Sequence, residues 1–284
     1  MNAKMKARLP IHLIGVFPAL FLAIFFIGPL SLMLGVSFFE RDPMAFFNPA
    51  FQFENYQKFT SKRVLTTIWR SVLQAGVAAG LVVSIAFTTI LFVSDLTRRW
   101  QKFWILLLLS LLCLSEVIIG FAWAIVFSEP SGIPKLLNQL GLWDNPRSLS
   151  PSFWAVQTGM ISIGFAVVGL LIYPQLAGRD RSIEEAARTL GTPPFYVFWK
   201  VLLPNYGPTV LTGFLTMFVY YLGVYVMPVM LGKPQDWNMT VLITDTAIQQ
   251  FNLPLGAALS VGMMVMTAVA LTIVWCVNLW RAHG

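Results

Sequence analysis

Residues able to do chemistry are sparse in this chain, and few are spaced to act together. Cys113 and Cys276 both fall within long apolar runs, with neither metal-ligand spacing nor a loop framework for a disulfide, so they read as small buried hydrophobes. His12 and His283 stand near the ends of apolar runs without metal-ligand spacing, an interfacial position. No G-x-x-x-x-G-K-S/T phosphate-binding loop occurs. Glu116 is the one acidic residue inside an apolar run. A charge placed in hydrocarbon costs roughly 2.5–3.5 kcal/mol on insertion scales, so Glu116 either faces a water-filled path or is hydrogen-bonded against a packing partner. Tyr220, Tyr221 and Tyr225 share a second apolar run. Their ring faces suit an amine by cation–π contact, worth about 0.5–2 kcal/mol, and suit plain helix packing equally well.

The most patterned stretch begins at Arg179 and reads RDRSIEEAARTLGTPPFYVFWKVLLPNYGP. Ser182 followed by Glu185 fits a capping box, in which the serine accepts one backbone N–H and the glutamate reaches back to another. Glu184 and Glu185 also complement the positive end of the helix dipole. A short helix is expected from Ser182 to about Leu190, stopped by Gly191 and by the Pro193-Pro194 pair. Ala186 and Ala187 keep it slim, and Arg188 stands at i, i+4 from Glu184, the spacing of a local ion pair. A second helical stretch is expected from Phe195 to Leu203, ahead of Pro204.

The elements that hold these residues are set by composition. Of 284 residues, 57% are hydrophobic and 11% charged. A water-soluble domain carries about 25% charged residues to cover its surface, so lipid must solvate much of this chain. A helix needs about 20 mostly apolar residues to cross the hydrocarbon layer. Six stretches qualify, at about 11–39, 71–94, 103–128, 153–176, 208–231 and 255–279, within a single domain over 1–284. The first run is too long for the apolar core of a secretion signal and lacks a cleavage site, so it is expected to be retained.

Basic residues orient the spans. With the N-terminus inside, Lys4, Lys6, Arg8, Arg98, Arg99, Lys102, Arg179, Arg181, Arg188, Lys200 and Arg281 lie on the cytoplasmic side. The outer side then holds fewer, namely Arg41, Lys58, Lys62, Arg63, Arg70, Lys135, Arg147 and Lys233. Both termini and the 179–207 loop are therefore expected in the cytoplasm. Trp143, Trp154 and Trp237 fall near span ends, where amphipathic rings anchor at the headgroup layer. Gly213, Gly223, Gly256 and Gly262 would let helices approach closely.

Glu185-Ala186-Ala187, three residues, Gly191, nine residues and then Val201-Leu202-Leu203-Pro204 resembles the EAA loop of binding-protein-dependent ABC importer permeases. Only Val201 departs, standing where that pattern has Ile. Four further segments resemble the spermidine/putrescine-type branch, and within it the first of the two paired permeases. These are Phe53-Glu54-Asn55-Tyr56, Ser115-Glu116-Val117-Ile118, Leu222 to Pro228 with Leu231-Gly232, and Asn252 to Ala258. Ser115 replaces an expected proline, and Val224 stands where many relatives carry an acid.

The resemblance implies an all-α membrane protein with six transmembrane helices, a type I (MetI-like) permease fold and a cytoplasmic coupling helix. It implies that Glu184, Glu185, Ala186, Ala187, Arg188, Gly191, Leu203 and Pro204 meet an ATP-hydrolysing subunit. It implies a bacterial inner-membrane complex of a second homologous permease, two ATP-binding subunits and a periplasmic solute-binding protein, carrying a small solute of polyamine type. Nucleic acid is not an implied partner. No cofactor belongs to this chain, since ATP and magnesium would be held by the ATPase, and no catalytic residue is implied. Glu116, Tyr220, Tyr221 and Tyr225 are the candidates for the substrate path. An amino acid, opine or phosphonate is an alternative cargo. A secondary transporter or channel would need ion-coupling residues, and a membrane-embedded enzyme a catalytic set at membrane depth; Glu116 alone supplies neither.

Overall fold

The structure is a computed structural model. It describes the backbone of residues 11–42, 44, 46–180 and 182–283, and their side chains except those of 11–15, 17, 188 and 273–283. Apart from one isolated bridge between Glu40 and Asn48, the regular structure among the described residues is helical. The chain forms two compact units, one of Met1–Val64 with Ile243–Met266 and one of Leu65–Leu242 with Thr267–Gly284.

The first unit opens with α1 (Ile11–Leu22), a π-helical turn (Ala23–Ile27) and α2 (Gly28–Val36). The π turn has a local cause. Pro29 has no N–H to donate, and the widened turn instead sends the Gly28 N–H to the Ala23 carbonyl. From Pro18 to Val36 no residue is buried, so lipid or another subunit must solvate this helix. Its end is tied down by α3 (Glu54–Gln57). The Asn55 amide is buried and donates to the carbonyls of Ser37 (3.1 Å) and Phe39 (2.9 Å). The Tyr56 hydroxyl pairs with Ser37 Oγ at 2.7 Å. The aromatic-x-Asn-Tyr segment is thus a clamp on backbone carbonyls that the ending helix leaves free.

The second unit is built around α4 (Lys62–Asp95), α5 (Arg98–Leu112), α6 (Glu116–Val126), α7 (Ile133–Gln139) and α8 (Phe153–Ala177). Along α4, Ala75, Ala78, Ala79, Val82, Val83, Ala86, Ile90 and Val93 are buried, while Trp69, Leu73, Leu81, Ile85 and Phe92 are exposed. The buried set recurs at three- and four-residue steps, one face of a helix, and it is mostly small. Small residues let helices approach in lipid, where packing rather than water exclusion drives association. The exposed face is as apolar as the buried one, the mark of a lipid-facing surface.

Four helical stretches are long and apolar enough to cross a membrane: Pro18–Val36, Lys62–Asp95, Phe153–Ala177 and Leu253–Thr272. The expected third span differs from prediction. It is two helices, α5 and α6, bent by 96° at a break over residues 113–115. Ser115 is extended (φ −65°, ψ 139°) and its hydroxyl accepts the Val117 N–H at 3.3 Å, so it caps a new helix inside the apolar run.

The expected fifth span is also interrupted. It consists of α12 (Gly207–Leu222) and α13 (Val226–Leu231). The 16 residues of α12 reach about 24 Å, short of the roughly 30 Å hydrocarbon layer. Carbonyls freed at the break are satisfied from the following segment, Leu222 by Thr240 Oγ1 (2.9 Å) and Val224 by Asn238 Nδ2 (2.7 Å). The latter segment contains α14 (Met239–Thr244), and the last helix, α15, spans Leu253–His283. Gly223 therefore marks a break rather than a helix crossing. Gly256 and Gly262 do sit at close contacts, against Ala247 and Phe59.

Candidate functional site

Between α8 and α12 the chain forms α9 (Ser182–Thr189), α10 (Pro194–Val197), a π turn (Phe198–Leu202) and α11 (Leu203–Asn205). The predicted short helix is present with nearly the expected bounds. Its start differs from a capping box: the Ser182 N–H is taken by Asp180 Oδ1 at 2.9 Å rather than by Glu185. That hydrogen bond holds the Asp180 carboxyl below the usual aspartate range. The end follows a Schellman pattern, with the Thr192 N–H reaching the Ala187 carbonyl at 3.2 Å around Gly191, whose φ is +76°. Only glycine takes that conformation without strain.

Glu184 and Glu185 take different roles although they are adjacent. Glu185 is exposed, whereas Glu184 is buried and its Oε1 accepts from Arg179 Nε at 2.9 Å. The expected Glu184–Arg188 pair falls on Arg188, whose side chain lies outside the described residues. Arg179 reaches further, giving an N–H to Asp95 Oδ1 at 2.6 Å and another to Ser94 Oγ and the Leu91 carbonyl. Its own side chain is only 2% exposed. Nothing in the periodicity of the sequence marks Arg179, because three of its partners, Leu91, Ser94 and Asp95, lie on α4.

Around α9 and α10, Ile183, Leu190, Phe195, Tyr196 and Trp199 are exposed, Leu190 at 85%. Ala186 is exposed, Ala187 and Leu203 are half-buried, and Pro204 is exposed. Pro204 does not end the second helical stretch as expected. The π turn before it carries the Leu203 N–H to the Phe198 carbonyl, and the helix continues to Asn205. This surface offers apolar side chains, the exposed carboxylate of Glu185 and a tight glycine turn to a partner.

The second group of predicted residues lies at the two helix breaks. Glu116 is the first residue of α6, where the dipole of the helix favours a negative charge. It accepts a hydrogen bond from the Tyr220 hydroxyl, two residues before α12 ends. The helices α6 and α13 beyond the breaks pack directly; a Cβ on Gly120 would stand 2.7 Å from Met230 Sδ. Tyr221 does not join this pair. It is buried, and its hydroxyl donates to the Met160 carbonyl of α8 at 2.7 Å, over Gly164. Tyr225 is 39% exposed at the start of α13. Trp237, expected at the headgroup layer, has its ring N–H buried. A cavity of about 450 Å³ lined by Phe127, Trp154, Thr158 and Lys233 includes none of the predicted path residues.

The profile of the family described as binding-protein-dependent transport system inner membrane component matches residues 98–282, which include both helix breaks and the whole 179–207 loop. The chain belongs to this family. Among individual relatives of this inner membrane component, the spermidine/putrescine transport system permease protein PotB of Haemophilus influenzae is 23% identical over 257 residues, 90% of each chain. PotB of Escherichia coli is 21% identical, covering 89% of this chain and 92% of its own. Among solved structures, a bacterial ABC transporter involved in import of the acidic polysaccharide alginate matches with a TM-score of 0.74 at 16% identity, over 96% of this chain and 95% of that one. The same kind of transporter in complex with an alginate pentasaccharide-bound periplasmic protein matches with a TM-score of 0.73 at 15% identity, over 94% and 92%. These likenesses establish the fold, and the family is a transport permease component.

Proposed function

We propose that this chain is one half of the translocation path of an importer for polyamines or related amines at the bacterial inner membrane, moved by a separate ATPase. The observation that carries this reading is α9: a capped helix with exposed Ile183, Glu185 and Ala186, ended by Gly191 and flanked by exposed Leu190, Phe195 and Trp199. Apolar area of this kind, left uncovered outside the spans, suits a protein partner. In this reading Glu185 meets a basic groove residue of the ATPase. Leu203 and Pro204 stiffen the join to α12, and α9 passes the closure of the ATP-binding pair to the spans. ATP and magnesium belong to that partner.

The complex comprises a second homologous permease, two ATP-binding subunits and a periplasmic solute-binding protein, with the whole chain acting as a single permease domain. Both termini and the 179–207 loop face the cytoplasm, as the balance of Lys and Arg favours. Amine cargo is supported by the two PotB relatives and by a carboxylate and a tyrosine joined at the helix breaks.

Reconstituted with its partners, the Glu185→Arg and Gly191→Val variants should insert normally but hydrolyse ATP without uptake. Wild-type uptake by both would sink the coupling role. Cargo is tested separately, by ligand-induced thermal stabilisation of the cognate receptor across polyamines, amino acids, opines and phosphonates. Stabilisation by a class other than amines would replace the cargo while leaving the machine.

A further inference from the structure

We infer that Arg179 is a positioning residue that welds α9 to the end of α4, so that the two move as one body during transport. The inference rests on the reading of α9 as the helix that meets the ATPase.

The geometry is that of a bracket rather than a surface ion pair. The Arg179 side chain is 2% exposed and spends its guanidinium on two separate elements. Toward α9 it gives Nε to Glu184 Oε1 at 2.9 Å, and Glu184 is itself 9% exposed. Toward α4 it gives N–H groups to Asp95 Oδ1 at 2.6 Å, to Ser94 Oγ and to the Leu91 carbonyl. A planar guanidinium with five donors can satisfy such a divided set, and a lysine cannot. The Glu184 carboxylate, once out of water, has strong reason to stay with its partner, because a buried charge left alone is far costlier than an exposed one. Asp95 is 46% exposed and can fall back on solvent. The bond to α9 is therefore the tighter half of the bracket, and Glu184 belongs to it rather than to the docking surface.

Mechanically this matters because α9 is otherwise joined to the spans by bends: Gly178 and Arg179 on one side, Gly191 to Pro193 on the other. A force on α9 would be absorbed in those bends without a lateral tie. Arg179 supplies the tie and directs the displacement to α4, the longest helix of the second unit.

The test uses the complete reconstituted importer, with Cys113→Ser and Cys276→Ser as background and spin labels introduced by Phe92→Cys in the last turn of α4 and Thr189→Cys on α9. Phe92 and Thr189 are both exposed. In the wild type the label distance should stay the same and narrow in nucleotide-free and ATP-trapped states. Arg179→Met should broaden it and lower the solute moved per ATP hydrolysed by about 10-fold, the scale of a 1–2 kcal/mol change in coupling. Arg179→Lys should not rescue. The double variant Arg179→Leu with Glu184→Leu removes both buried charges, so it should recover insertion and thermal stability while the distance stays broad. A wild-type distance that shifts between the two states, or a narrow one in Arg179→Met, would overturn the proposal. These distances report on the bracket whether or not α9 meets the ATPase. Wild-type uptake by the Glu185→Arg and Gly191→Val variants would refute the docking reading alone.

Discussion

The Tyr220 hydroxyl donates to the Glu116 carboxylate across the ends of two interrupted helices. Each residue comes from an apolar run that reads as one continuous span, and each run is in fact broken within a few residues of the contact. The carboxylate thereby gains two sources of support: a hydrogen bond and the N-terminus of α6. Irregular backbone at membrane depth is tolerated only where it is packed in protein or lines a cavity.

If this pair contributes to an amine path, removing the charge should weaken transport more than removing the hydroxyl. Glu116→Gln is expected to raise the solute concentration for half-maximal uptake by about 10- to 100-fold, as loss of a charge-assisted hydrogen bond of roughly 1.5–3 kcal/mol implies. Tyr220→Phe should give a smaller change. Uptake titrations on proteoliposomes check the order, and an unchanged Glu116→Gln would take the pair out of the path.

Tyr221 belongs to the packing instead. Its hydroxyl lies where a Cβ on Gly164 would have to go. Gly164→Ala should therefore destabilise the protein by about 1–3 kcal/mol through overpacking, and Tyr221→Phe by about 0.5–1.5 kcal/mol through one lost hydrogen bond. Combined, the two should be less than additive, since the missing hydroxyl makes room for the methyl. Thermal unfolding in detergent measures all three.

Asn55 should be the most sensitive polar residue of the first unit. Asn55→Leu leaves two carbonyls, those of Ser37 and Phe39, without their buried donor. A loss of about 1–3 kcal/mol per unsatisfied group is expected. Limited proteolysis between residues 37 and 53 should accelerate, while cleavage within the second unit should not.

Much of the architecture was legible in residue order because lipid imposes a length rule on apolar helices. The short helix with its glycine stop was legible for a similar reason: capping and left-handed turns need particular residues at particular places. What escaped was decided by partners distant in sequence. Ser115-Glu116 is a helix start hidden in an apolar run, and hydropathy alone cannot see it. The break at Gly223 to Tyr225 depends on Thr240 and Asn238 to satisfy its carbonyls. Local spacing offers Glu184 a pair with Arg188, but it does not show that the fold brings it Arg179, which in turn holds Asp95 of α4. Tyr220 and Tyr221 are neighbours in the chain and point to different tasks, which no composition argument separates.

The wide turn at Phe198–Leu202 also sets a constraint on how this loop can vary. A π turn holds one residue more than the α turn it replaces, so deleting a single residue there would convert it to ordinary helix. That deletion would leave α10 at its present angle around the following helix, because the wide turn already absorbs the extra residue. A length change elsewhere between Pro194 and Pro204 has no such buffer and would rotate α10 by about 100°. The wide turn thus acts as slack in the chain, and outside it the number of residues fixes where the exposed Phe195 and Tyr196 point.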